Sequence, residues 1–193
     1  MRHVPSIRQT IDFITTIHHG ENRRDGQPYV SHPLAVADLL PANASMDARL
    51  AALLHDVMEK SRKFPRQSET EIRPVTREEL GRMGYSDRTI RAVELVSQID
   101  GIGVYREGMR YLDWINAIIE TRNLDAMQVK YADMQHNTNE KSLKALSTIK
   151  RVDGQNENEA DYRRDKYKMP MILLRRELER ADLLEMTKGR SAA

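Results

Sequence analysis

Leu50-Ala-Ala-Leu-Leu-His-Asp-Val-Met-Glu59 sets a His-Asp dyad into an apolar run. Leu50, Leu53, Leu54 and Val57 follow the spacing of one buried helical stripe, and His55 and Asp56 interrupt it side by side. A carboxylate at the edge of a buried face is costly to desolvate, and a bound cation offsets that cost directly. Glu59 lies four residues beyond His55 and three beyond Asp56. On a helix that puts it on the same side, placed to act on whatever the dyad holds.

A His-Asp pair alone reads more readily as a satisfied core histidine beside a helix-end aspartate. Two further segments favour a metal. His32 falls at the mouth of the helical run Ser31-His-Pro-Leu-Ala-Val-Ala-Asp-Leu-Leu40, where a side chain opens toward a cleft, and Asp133 sits inside Val129-Lys-Tyr-Ala-Asp-Met134. The chain has no cysteine, so imidazole and carboxylate are the available ligands. Two of each suit a divalent ion such as Mn²⁺, Fe²⁺, Zn²⁺ or Mg²⁺, with positions left for water and substrate.

The elements that must hold these residues read as helices. Ser6 is placed to cap a first helix with Ile7, Ile11, Ile14 and Ile17 inward, ending near His18-His19-Gly20. Glu21 to Val30 is a loop of turn formers and basic residues, and Ser31 is expected to cap the second helix, with Pro33 tolerated in its first turn. Ser45 or Asp47 caps the helix of the dyad, and Ser61 to Val75 reads as a surface loop. Thr76-Arg-Glu-Glu79 is a capping-box pattern opening a short helix stopped by Gly81 and Gly84. Further helices are expected from Ser86, over Glu107 to Thr121 with Met109, Leu112, Ile115 and Ile119 inward, from Asn123 or Asp125, and over Lys141 to Lys150. Gly154 to Glu159 reads as a linker, Asp161 to Glu185 as a charged final helix with Pro170 inside it, and Thr187 to Ala193 as a frayed tail. No strand pattern of useful length occurs. The expected fold is all-α, a bundle of about eight to ten helices. Residues 1–150 form its core, and 151–193 supply a C-terminal helix packed on the same domain.

Composition narrows the function classes. In 193 residues, 31% are charged and 5% aromatic, which suits one helical domain better than a β-sandwich. A net charge of +2 is too small for a general binder of nucleic-acid polymers, yet leaves room for a basic pocket around a small anion. No apolar run approaches the roughly 18 residues needed to span a bilayer, so the expectation is a soluble, cytoplasmic protein with no membrane partner. Oligomeric state is not readable from the sequence.

The same residues carry a family resemblance. Arg23-Arg-Asp-Gly-Gln-Pro-Tyr-Val-Ser-His-Pro-Leu-Ala-Val-Ala37, Ala51-Ala-Leu-Leu-His-Asp-Val-Met-Glu59 and Lys130-Tyr-Ala-Asp-Met-Gln-His-Asn137 resemble, in order and spacing, the HD-domain metal phosphohydrolases. They are most similar to the branch holding the (p)ppGpp hydrolase domain of Rel/Spo proteins and the small alarmone hydrolases. The resemblance implies that His32, His55, Asp56 and Asp133 bind the metal, usually Mn²⁺ in that branch. It implies that Glu59 orients or deprotonates the attacking water, that Arg23 and Arg24 lie against the nucleotide, and that Lys130 and Asn137 line its pocket. Where the branch has a second acid after Glu59, this chain has Lys60, which cannot accept a proton from water but can hold a phosphate oxygen. The expected activity is hydrolysis of a nucleotide phosphate or pyrophosphate ester, (p)ppGpp first. Another nucleotide (a deoxynucleotide or the 2′-phosphate of NADP) and a non-catalytic nucleotide sensor remain alternatives.

Four other features stay open between a functional and a structural role. His136 is either the acid that protonates the leaving group or a partner that orients Asp133. Tyr29 either stacks on a base or packs on the core, and His18-His19 read more readily as a solvated helix end than as a second metal site. Arg163, Arg164, Lys166 and Lys168 either close an anionic pocket or form a wet helix face.

Overall fold

The computed structural model describes residues 4–63, 75–144, 146, 148–150 and 156–191. Among them run ten helices and one short hairpin. Helix α1 (Ile7–Ile17) opens with a reciprocal capping box between Ser6 and Gln9, and buries Ile14 completely. Helix α2 (Ser31–Asp38) begins at the residue expected to cap it. Val30 occupies the N-cap without a side-chain bond, since its side chain has no acceptor, and Ser31 N–H instead donates to the Pro28 carbonyl.

Helix α3 (Met46–Leu54), capped by Ser45, is the centre of the core. Ala48, Ala51, Ala52 and Leu54 are fully buried, with Leu50 and Leu53 nearly so. The dyad does not continue this helix. The chain breaks at His55-Asp56 and resumes as α4 (Val57–Lys63). His55 turns its Nδ1 back onto the Ala52 carbonyl, 2.8 Å away, while Asp56 supplies the carbonyl that receives Lys60 N–H. The two residues therefore project from a joint rather than from a continuous helix face.

Helix α5 (Arg77–Met83) starts at Thr76, whose hydroxyl accepts Glu79 N–H, and stops at left-handed Gly84. Helix α6 (Asp87–Val96) is capped by Ser86. Asp47, considered as a cap for α3, instead accepts hydrogen bonds from Ser86 and Thr89 and so ties α3 to α6. Gly103 follows α6 at φ +61, and a Cβ there would meet the Glu94 carbonyl oxygen at 2.2 Å, so that turn requires glycine.

Helix α7 spans Tyr111–Glu120, later than the expected start at Glu107. Its buried stripe is Trp114, Ile115 and Ile118, whereas Leu112 is 37% exposed. The rotation follows the indole, whose Nε1–H donates to the Leu95 carbonyl at 3.1 Å. Helix α8 (Leu124–Thr138), capped by Asn123, runs through the core beside α3 and α6. Asp125 there is buried and receives Arg88 and Ser45.

The C-terminal third departs most from the sequence expectation. The helix expected to Lys150 is α9, ending at Lys144, and Thr148–Lys150 (β1) pairs antiparallel with Asn156–Asn158 (β2) in the stretch read as a linker. Helix α10 (Glu159–Ser191) then continues through most of the tail expected to fray. Leu174 on α10 is fully buried, and Met171 receives a hydrogen bond from Thr138 of α8. The expected surface loop lies largely outside the described residues.

His18 corrects the picture of a solvated helix end. It is 2% exposed, and its ring packs on Tyr29 at 4.8 Å between centroids. Burial pushes its pKa down from 6.5 to about 4. The native state thus holds His18 neutral while the unfolded chain protonates it, so its contribution is complete above pH 6.5 and is lost as pH falls toward 4. Native stability is expected to drop by about 3 kcal/mol more across this window than in His18→Phe, read from urea midpoints at both ends.

Candidate functional site

Four side chains from three distant segments meet at one point. His32 comes from the first turn of α2, His55 and Asp56 from the joint between α3 and α4, and Asp133 from the middle of α8. His32 Nε2 lies 3.2 Å from His55 Nε2, 3.6 Å from Asp56 Oδ2 and 3.3 Å from Asp133 Oδ1. His55 Nε2 lies 3.3 Å from Asp56 Oδ2 and 3.9 Å from Asp133 Oδ1. His32 is buried, and its ring lines the cavity toward which the sequence places it.

Protons decide what this cluster can hold. A carbonyl only accepts, so the 2.8 Å contact with Ala52 fixes a proton on His55 Nδ1 and leaves Nε2 facing inward, able to hold either a second proton or a cation. Two imidazole nitrogens and two carboxylate oxygens then converge with nothing positive between them. Burial alone would raise the Asp56 carboxyl, but His55, His32 and the Tyr29 hydroxyl outweigh it and hold it well below the usual carboxylate range. Burial likewise works against Asp133, which Lys130, then His32, hold low. Burial would depress His55, yet Asp56 and Asp133 raise it to about 9. The site demands positive charge at this point, and a proton on His55 is the smallest cation able to supply it.

A divalent ion fits the same place. Ligands held at about 2.0–2.2 Å from a metal stand roughly 3.0–3.6 Å from one another, and four of the five separations above fall close to that range. His32, His55 and Asp133 offer ligand atoms within 4.8 Å of one another. Asp56 completes the group through its distances to both imidazoles.

A cavity of about 720 Å³ opens beside the cluster, a volume suited to a nucleotide-sized ligand. Glu59 and Lys60 line it from α4, Arg23 and Arg24 from the loop after α1, Lys130 and Asn137 from α8, and Arg163 and Lys166 from α10. Glu59 Oε2 accepts Gln98 N–H at 3.2 Å, and Lys60 Nζ stands 4.2 Å above the Tyr29 ring. Arg164 pairs with Asp161 on the exposed side, and Lys168 is exposed. The basic cluster of α10 thus divides, two residues facing the cavity and two facing solvent.

Several of these polar ends also hold partners within the protein. Lys130 donates to Asp133 Oδ2 at 3.2 Å and sits 4.1 Å from the Trp114 ring centroid, while Asn137 donates to Asp133 Oδ1 at 2.6 Å. Arg24 is held by Glu159, which also receives Arg163. His136 does not contact Asp133 by hydrogen bond. Its Nδ1 lies 2.8 Å from His32 Nδ1, and burial, with His32 and Arg23 nearby, lowers its pKa to about 4. A neutral imidazole is a poor proton donor at neutral pH.

Tyr29 lines the cavity, and its ring also packs on His18. Its hydroxyl donates to Asp56 Oδ2, and the buried phenol is pushed far above its ordinary pKa by desolvation and by Asp56. The sequence signal was present, an aromatic three residues before His32, without a cue to its partner 27 residues on. Trp114, Tyr111 and Tyr167, which build the far wall with Lys166, had no such signal.

A profile of the HD domain family matches residues 10–106, half of the chain. The chain belongs to the HD domain family. The matched stretch of the HD domain carries His32, His55, Asp56 and Glu59, and Asp133 lies beyond it. This HD domain chain is 29% identical over 123 residues to the guanosine-3′,5′-bis(diphosphate) 3′-pyrophosphohydrolase of Haemophilus influenzae, covering 62% of the chain and 16% of that protein. It is 27% identical over 140 residues to the bifunctional (p)ppGpp synthase/hydrolase SpoT of Escherichia coli, covering 69% of the chain and 18% of that protein. A 57-residue stretch is 39% identical to the Vibrio cholerae 3′-pyrophosphohydrolase, covering 29% of the chain and 8% of that protein. The HD domain chain therefore spans less than a fifth of the length of these relatives. No described helix is long and apolar enough to cross a membrane.

Proposed function

We propose that the chain is a metal-dependent phosphohydrolase acting on a nucleotide, and that its substrate is a guanosine 3′,5′-bis(diphosphate), (p)ppGpp, cleaved at the 3′ position. The observation that carries this reading is the pair of imidazole Nε2 atoms converging with Asp56 and Asp133 at the wall of a cavity bordered by cationic side chains. Relationship to the curated 3′-pyrophosphohydrolases supports the choice of nucleotide. His32, His55, Asp56 and Asp133 hold the ion, best taken as Mn²⁺. When bound, it polarises a phosphoryl oxygen and lowers the pKa of the attacking water.

The chain's own residues do the rest. Glu59, anchored by Gln98 N–H, takes the proton of the attacking water. Water oxygen forms a bond to phosphorus as the bond to the nucleotide 3′-oxygen breaks, and that oxygen takes up a proton from solvent in the open cavity, balancing the one passed to Glu59. The products are GDP or GTP and pyrophosphate. Lys60 and Lys166 offset charge on the phosphates. Arg24 already answers Glu159, and its share is to border the base and ribose.

Mn²⁺-loaded protein incubated with ppGpp, pppGpp, deoxynucleotides and NADP tests the reading, with pyrophosphate release from ppGpp or pppGpp as the expected result. Phosphate release from NADP alone, or turnover of deoxynucleotides alone, overturns the choice of substrate. Tight nucleotide binding without turnover under any divalent ion makes the chain a sensor. Lys60→Asp restores the acid that the alarmone hydrolases carry there. With Lys60 holding a phosphate oxygen, the variant is expected to lose about 10–100-fold in kcat/KM, the worth of a charge-assisted hydrogen bond. A rise in turnover instead would mark Lys60 as a weakening departure.

A further inference from the structure

The contacts behind His32 are built as carefully as those in front of it. A histidine that presents Nε2 to a cation carries its proton on Nδ1, and that proton needs an acceptor. His32 Nδ1 lies 2.8 Å from His136 Nδ1, so His136 must offer a lone pair there and keep its own proton on Nε2. A second donor approaches the same atom, since Arg23 Nη1 stands 3.5 Å from His136 Nδ1. Two donors facing one nitrogen fix it as the acceptor. The two rings stack at 4.9 Å between centroids, so the bond also sets the tilt of His32.

Arg23 has little left to offer a substrate. Its Nη2 donates to Ser142 Oγ at 3.1 Å, and Ser142 Oγ donates in turn to the His136 carbonyl at 2.8 Å. Its Nε lies 3.7 Å from Asp25 Oδ1, and the side chain is only 12% exposed. Ser142 is buried and tied to Asn139 through its backbone N–H. The guanidinium is therefore held at the Nδ1 edge of His136 by Ser142 on one side and Asp25 on the other.

We infer that Arg23, Ser142 and His136 are positioning residues that fix the tautomer and aim of His32, and that Arg23 serves the metal ligand rather than the nucleotide. The inference rests on the hydrolase reading for the identity of the site, and it reassigns two residues within it. It sets His136 against His32 as an acceptor, not against the leaving group as an acid.

Mn²⁺ titration of wild type, His136→Leu, His136→Asn and Arg23→Met tests it, with circular dichroism confirming that each variant is folded. His136→Leu is expected to weaken Mn²⁺ binding by about 10–100-fold, the usual cost of losing a partner behind a metal-bound histidine. His136→Asn keeps an oxygen near the Nδ1 position and should recover affinity to within about threefold. Arg23→Met should weaken Mn²⁺ by about tenfold. In proton–nitrogen correlation spectra, the slowly exchanging Nδ1–H of His32 should survive in His136→Asn and vanish in His136→Leu. Wild-type binding matched by an equally tight His136→Leu overturns this inference alone, as does an Arg23→Met whose Mn²⁺ affinity is unchanged while KM for nucleotide rises. A wild type that takes up no Mn²⁺ overturns the hydrolase reading itself, and the inference with it.

Discussion

Asp56→Ala is expected to release the metal and abolish turnover. Losing an outer partner of a ligand costs about 10–100-fold in affinity, so losing a ligand should cost more than about 100-fold. Alanine also strips the partly buried Tyr29 hydroxyl of its acceptor, at about 1 kcal/mol of stability. Asp56→Asn separates the two effects. Asparagine keeps an oxygen for Tyr29 and the shape of the joint but gives up the charge opposing two imidazoles. Its melting temperature should stay near that of wild type while metal content by elemental analysis falls to background. Full activity in either variant would remove the dyad from the reaction.

Glu59→Gln is expected to cut kcat by about 10²–10⁴-fold, the usual worth of a positioned base. Metal content should not change, because Glu59 is not among the atoms that converge on His32 and His55. Glutamine preserves the oxygen that accepts Gln98 N–H, so the side chain should remain in place and the loss be one of proton acceptance alone. An equal fall in metal content would instead make Glu59 part of the ion's own surroundings. Lys60 beside it cannot substitute as a base while it remains an ammonium.

The helical class and most helix starts were legible because capping side chains act within three residues of where they stand. Ser6, Ser45, Thr76, Ser86 and Asn123 each accept the backbone N–H three residues on. The helix break at His55-Asp56 was not legible, because the apolar stripe continues through it into Val57 and Met58, both buried. The break depends on an imidazole turning back to a carbonyl, and periodicity does not record that. The hairpin at 148–158 escaped for a different reason. Its three-residue strands are too short to show alternation, and their pairing is one strand with another rather than a local pattern.

The residues gathered at the site could be named from type and frame, since an ionisable side chain inside an apolar run has few inexpensive explanations. Their partners could not. Tyr29 reaching Asp56, His136 reaching His32 and Glu159 holding Arg24 join positions 27, 104 and 135 residues apart, and only the folded bundle brings them together. His18 was misjudged on the same ground. The residues that follow it in sequence are polar or glycine, while the Tyr29 ring that covers it lies eleven residues on.

Trp114 is the one indole in the chain, and the Lys130 ammonium that stands 4.1 Å from it also grips Asp133. Any ion that claims Asp133 competes for that grip and changes the positive charge felt by the ring. The protein thus carries its own optical gauge. Filling of the centre is expected to reach the emission of this buried indole through a single lysine, with no label required.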